Sequence, residues 1–451
     1  MSTVNQKFRQ LKDNGIINNL KNILSCKFLP FFTAAVFLLC YYAAWDLVAA
    51  YYIALLCVLM LFLLDDLSPI ISNFLFMAVI VSKENSPSKF FENHTPSDFY
   101  TRPYVTAQLG IIIGVICIFL IYRLIKNIIA GKFKLTPVFY GLAVFAAVLL
   151  FNGVFSKDYK PMNLVYGLCL AGLFFGIFAV LKDSIVWNGE TMKNISYAFI
   201  AFGALISIEV ACIYLTSEDI VSNGVVNRQA LGLGWGMYNT IGAYLIICAP
   251  FPFYLATRYK HGYLFYLLGL VFLGTTVLTF SRQAWGGAAA VYSTCVLALI
   301  TYEKGLNKRI VIIITAAICA IALIFAFVFW NQFITFVKNL FRGIFSGSEF
   351  TGNGRKSLWE LAWSGFKSSP VFGVGFFGGA DKIAAPDFDG LSFIPEMYHN
   401  TFMQLLGSCG IIALLAYVAH RIQTVICFLK NVTFERLLIV ISGAGLLLVN
   451  L

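Results

Sequence analysis

The sequence predicts an all-α protein that crosses a membrane many times, and three observations carry that expectation. Of 451 residues 60% are hydrophobic and only 12% are charged, whereas a soluble domain carries roughly 25% charged residues. Apolar runs near the roughly 17 to 25 residues of a spanning helix recur along the whole chain. Lysine and arginine collect on alternate connections between those runs. An ordinary soluble enzyme is excluded, and so is a disordered chain, which lacks the apolar residues held here in excess.

Residues 1–27 are basic and polar, with Lys7, Arg9, Lys12, Lys21 and Lys27. No small-residue cleavage site follows them, so they are read as a cytoplasmic segment and not as a cleaved leader. Apolar runs then occupy 28–45, 47–64, 67–82, 105–122, 135–151, 162–181, 194–215, 236–257, 262–280, 283–301 and 310–330, a transmembrane bundle over 28–330. The polar segment 331–397 interrupts them, and the runs 398–419 and 436–451 make a C-terminal membrane part over 398–451. The expected count is about 12–13 transmembrane helices.

Alternation sorts the connections onto two sides. Those sharing the side of the N-terminus hold 19 Lys and Arg, against 7 on the short connections opposite, so the N-terminus is cytoplasmic. That distribution accounts for the net charge of +11 without a nucleic-acid partner. The 11 cysteines stand singly, nearly all inside apolar runs, and read as small buried hydrophobes, with no zinc site or disulfide framework. The 331–397 segment is extracytoplasmic and too long for a turn, which in a compact fold points to function. Soluble nucleotide-activated donors are cytoplasmic, so an enzyme working on the outer side should use a lipid-borne donor.

Several residues could carry chemistry there. His399 ends the long outer segment in "EMYHNTFMQLLGSCGIIA", and an imidazole near its ordinary range suits proton transfer from an acceptor hydroxyl; an interfacial histidine satisfying a hydrogen bond is the alternative. Arg282 interrupts two apolar runs in "LTFSRQAWGG", where arginine is costly unless paired or lining a polar cavity; snorkelling to the outer interface is the alternative. Arg355 and Lys356 follow Gly352 and Gly354 in "FTGNGRKSLWELAWSGF", a tight turn into a helix of roughly four turns. Trp359, Ala362, Trp363 and Phe366 recur at helical spacing, predicting one docked face. Free N–H groups at its start beside two cations make an anion site, above all for phosphate; a solvated basic residue on a loop helix is the alternative. Glu209 near the outer end of its run could partner Arg282, and Arg228 is an outer cation. Asp387 and Asp389 spell DxD but read as a plain acidic loop, and Asp46 as a turn cap. Gly373, Gly375, Gly378 and Gly379 in "VFGVGFFGG" lack the setting of a dinucleotide fingerprint and read as a flexible loop.

At these residues the chain resembles the O-antigen ligase and polymerase family of integral membrane glycosyltransferases. The resemblance rests on "TFSRQAWGG", "GNGRKSLWELAW", "PVFGVGF" and "HNTFMQLLGSCGIIA", over roughly 236–425. His399, Asn400 and Gly410 fit the last pattern, with Ala413 where Gly, Thr or Val is expected. The resemblance implies a glycosyltransferase type C-like membrane fold with a long outer loop carrying short helices. It implies transfer of a glycan from undecaprenyl diphosphate to an acceptor hydroxyl, at the outer face of a bacterial cytoplasmic membrane, with inversion and with neither metal nor cofactor. Arg282 and Arg355 would then grip the diphosphate and His399 would orient or deprotonate the acceptor, with Asn400, Lys356, Arg228 and Glu209 in supporting places. Membrane lipids, the lipid-linked donor and a glycan, lipid or protein acceptor are the implied partners. Ligase and repeat-unit polymerase are not separable at this level, and a flippase for lipid-linked sugars is the rival from another class.

Overall fold

The computed structural model describes residues 15–43, 45–81, 103–216, 221–222, 225–226, 231, 238–302, 306–328, 330, 334, 355–376, 398 and 400–449. Apart from a hairpin of Val221–Ser222 with Val225–Val226, the regular structure among them is helical. Six helices are long and apolar enough to cross a bilayer: Ala107–Ile129, Asn163–Ser184, Gly189–Thr216, Asn239–Ala256, Gln283–Thr301 and Thr401–Leu429. Gly15–Leu24 and Leu29–Cys40, bent by 73°, make a seventh if counted as one span, and Leu47–Leu63, Pro137–Asn152 and Tyr263–Leu278 are shorter apolar helices. All but Gly15–Leu24 lie on apolar runs of the sequence, which bears out a polytopic all-α membrane protein. Gly15–Leu24 instead spaces Ile16, Leu20 and Ile23 along one stripe among Asn18, Asn19, Lys21 and Asn22, a pattern suited to lying along a membrane surface.

By contacts the chain forms two compact units. The first comprises 1–133, 180–311 and 437–449; the second comprises 134–179, 312–436 and 450–451.

In the first unit, helix Gly189–Thr216 is central, with fourteen buried residues from Thr191 to Ile213. Small residues let its neighbours come close: a Cβ on Gly203 would lie 2.7 Å from the Phe272 ring, and one on Gly269 2.7 Å from that of Phe253. Polar contacts sort the helix ends onto two faces. On one, the buried Arg123 donates to the carbonyls of Leu64 and Asp65, both at 2.7 Å. Asn127 donates to Ser184 Oγ at 2.8 Å, and the Tyr197 and Tyr259 hydroxyls meet at 2.8 Å. On the other, Tyr51 donates to Gln108 at 2.8 Å and Tyr214 to the Leu278 carbonyl at 2.6 Å. The first set lies at connections that alternation places with the N-terminus, and the second at connections it places opposite.

The second unit sorts in the same way. Helix Gly410–Leu429 runs along Pro137–Phe155, with the Phe145 and Tyr417 rings 5.6 Å apart. Gly141 backs onto His420 and Gln423 at one end. At the other end Phe155 and Phe372 pack 5.8 Å apart, which seats Phe372 of the 331–397 segment beside the 156–160 connection. Helix Pro137–Phe155 starts at a Thr136 cap, whose hydroxyl accepts from Phe139 N, with proline at its first position.

Candidate functional site

The polar frame of the second unit begins with an irregularity in a spanning helix. Asn400 caps that helix, its Oδ1 accepting from the N–H groups of Phe402 at 2.9 Å and Met403 at 3.0 Å. One turn later, Leu405–Cys409 widens into a π-turn. A π-turn frees backbone carbonyls from the helix, and these are used. The Gly407 and Ser408 carbonyls accept from Val374 N at 3.1 Å and Gly375 N at 2.9 Å, while the Pro370 carbonyl accepts from Ile411 N at 2.9 Å. Segment 370–375 is therefore a strap laid across the helix start. Asn152 clamps both partners, donating from Nδ2 to the carbonyls of Phe372 and Ser408. Lys157 N donates to the Gly373 carbonyl at 3.2 Å.

Two glycines make that approach possible. Gly410 has φ 74°, and a Cβ there would lie 2.3 Å from the Val371 carbonyl oxygen; Gly373 has φ 71°, and its Cβ would lie 2.4 Å from the Ser408 carbonyl. Both positions combine a left-handed backbone with backbone contact, so only glycine fits. The expectation of a flexible loop at Gly373 and Gly375 is thus corrected: these residues are tied by backbone hydrogen bonds.

Helix Arg355–Ser368 has the predicted start and the predicted length of 14 residues. Ala362 is fully buried, and a Cβ on Gly407 would stand 3.0 Å from the Ala362 Cα. Trp359 donates from Nε1 to the Tyr398 carbonyl at 3.1 Å. The buried Tyr398 donates its N–H to Gln404 Oε1 at 3.0 Å, and Gln404 Nε2 donates to Ser408 Oγ at 2.9 Å. The helix that opens with Arg355 and the two residues flanking His399 therefore share one hydrogen-bonded frame. Arg355 precedes Trp359 by one turn, about 6 Å of rise. His399 itself lies outside the described residues, as do Arg228 and the side chains of Arg355 and Lys356. The docked face is narrower than the sequence suggested: Trp359 and Ala362 face inward, whereas Trp363 is 46% exposed.

In the first unit, Arg282 opens helix Arg282–Tyr302. The preceding span ends at Leu278, and Phe280 takes φ 52°, which a β-carbon residue adopts only against steric cost. Buried hydroxyls hold this corner. Thr279 donates to the Thr276 carbonyl at 2.7 Å, and Ser281 Oγ donates to Asn239 Oδ1 at 2.5 Å. Ser281 Oγ also accepts from Ala284 N at 3.3 Å, as a helix cap does. The side chain of Arg282 lies outside the described residues. Glu209 is wholly buried at the same end of its helix as Tyr214, on the side of Tyr42 and Cys212.

Arg282 and Arg355 thus each occupy the first position of a helix whose first turn carries no acidic residue. Such ends favour anions by roughly 0.3–1 kcal/mol and offer free N–H groups to phosphate oxygens. Among the described residues no group of three or more His, Cys, Asp or Glu could hold a metal ion. Sequence reading missed Asn152, Gln404, Trp359 as a clamp, and the pairing of Gly373 with Gly410. A lone amide directly after the apolar run 135–151 was the available signal for the first.

Residues 264–418 match the model of a family described as O-antigen ligase. The match lies inside the 236–425 stretch of the resemblance and takes in Arg282, Arg355, the strap, His399 and Gly410, which supports assignment to that family. Comparison with curated proteins finds no match.

Proposed function

We propose that the protein is a glycosyltransferase of the ligase or polymerase type in cell-surface polysaccharide assembly, working at the extracytoplasmic face of a bacterial cytoplasmic membrane. Its donor is a glycan on undecaprenyl diphosphate and its acceptor a hydroxyl of a glycan, lipid or protein. The observation that carries this reading is the frame joining the Arg355 helix to the residues on either side of His399, inside the region that matches the family model.

In the reaction, the acceptor oxygen bonds to the anomeric carbon as the bond from that carbon to the diphosphate breaks. His399 takes the acceptor proton. The leaving diphosphate gains charge, which the guanidinium groups of Arg355 and Arg282 stabilise, with Lys356 beside the former. One displacement inverts the anomeric centre. Asn400 supports His399 by capping the helix that follows it. Arg228 and Glu209 keep supporting places, and no metal or cofactor takes part.

Purified protein in bilayers, given the lipid-linked donor and an acceptor extract, tests this. Arg282→Ala, Arg355→Ala and His399→Ala should each lower the transfer rate roughly a hundred- to a thousand-fold, with normal membrane insertion. Full activity in all three removes the site assignment. Movement of the labelled donor across the bilayer without transfer would favour a flippase. Deleting the gene separates the two enzyme types: short repeats in place of long chains mark a polymerase, and an unmodified acceptor marks a ligase.

A further inference from the structure

Helix Arg355–Ser368 presents two unlike stripes. Trp359, Ala362 and Gly365 pack on Tyr398, Gly407 and Val374. Glu360, Trp363, Ser364 and Lys367, at helical spacing on the other side, are all exposed. Trp363 leans on Phe366 with the rings 5.2 Å apart, and Lys367 Nζ stands 5.8 Å from the Trp363 ring centre. Ser364 donates to the Leu361 carbonyl at 2.8 Å, so its oxygen keeps acceptor capacity toward the outside.

A side chain that faces the bilayer core sits among apolar neighbours, as do the exposed Ile412, Leu415 and Ile422 of helix Gly410–Leu429. The Trp363 ring, which leans on Phe366, instead shares its exposed side of the helix with a carboxylate, a hydroxyl and an ammonium group. That combination matches a pyranose, which has one face of C–H groups and a rim of hydroxyls. The ring face takes the C–H groups by dispersion, and the polar neighbours take the rim by hydrogen bonds.

We infer that the Trp363 stripe is a glycan-binding platform, holding a sugar residue of the chain that is transferred or extended. Trp363 lies eight residues beyond Arg355, about 12 Å along the helix axis. On the transferase reading proposed above, the sugar it holds is therefore set back from the anomeric carbon, and the platform recognises chain and not leaving group.

The test uses the full-length protein in bilayer discs. The probe is the oligosaccharide released by mild acid from the source cells' own lipid-diphosphate pool, with binding read by saturation-transfer NMR and titration calorimetry. Trp363→Phe should bind within about threefold of the parent, and Trp363→Leu should weaken binding about tenfold or more. In the transfer assay Trp363→Leu should raise KM for the full-length donor by a similar factor with kcat unchanged, and leave a donor carrying a single sugar unaffected. Leucine preserves any lipid contact, so parental binding and KM in Trp363→Leu overturn the platform. Loss of activity at all donor lengths overturns it as well, since it would mark a role in chemistry or folding. Binding does not depend on turnover: if the three site variants keep full activity while Trp363→Leu still loses the oligosaccharide, the catalytic assignment falls and the platform stands.

Discussion

The corner at Arg282 and the frame at Arg355 both set a cation at the first position of a helix, and they do so by different means. The corner is built from side chains: the Thr279 and Ser281 hydroxyls and the Asn239 amide close a three-residue break around Phe280. The frame adds to the side-chain bonds of Trp359, Gln404 and Asn152 a backbone interlock, the 370–375 strap paired to carbonyls that a π-turn releases. Side-chain hydrogen bonds can be removed one at a time with a modest net loss each. A backbone interlock has no such gradation, because one added carbon separates both segments.

The comparison can be broken most directly at Gly410. Gly410→Ala places a Cβ against the Val371 carbonyl at 2.3 Å in a left-handed conformation, and should destabilise the second unit by roughly 2–5 kcal/mol. Limited proteolysis should then cut near the strap and transfer activity should be lost. Gly242→Ala in the first unit meets a side chain, Ala284 Cβ at 2.5 Å, and is expected to be milder; equal effects would dissolve the distinction. Next comes Asn152→Leu, which keeps the volume and strips the donor from the Phe372 and Ser408 carbonyls. About 1–3 kcal/mol should be lost in thermal unfolding, with strap amides exchanging faster. Smallest is Ser281→Ala, which removes one helix cap and the bond to Asn239. Roughly 1 kcal/mol is expected, and a larger loss would show that the corner is as cooperative as the frame.

How much of this was legible in the sequence varies by residue. Helix Arg355–Ser368 was readable from start to finish, because a Gly-x-Gly-Arg turn and apolar spacing are local signals. Its docked face was only half readable: Trp359 and Trp363 differ by one turn and look alike in sequence, yet Trp359 meets the Tyr398 carbonyl and Trp363 is exposed. Gly373 looked like any loop glycine, since its φ is set by Ser408, which lies far along the chain.

The amino-acid sequence by itself determined the solvent of this protein, its helical class and the sorting of its connections onto two faces. Hydrophobicity and charge are properties of each residue, and they add up along a run without reference to any partner. The tertiary structure alone decided which irregularities matter. Asn152, Phe372 and Ser408 form one contact from three distant segments, and a π-turn is useful only where another backbone arrives to take the carbonyls it releases. Such pairings depend on several segments at once, so no window of the sequence contains them.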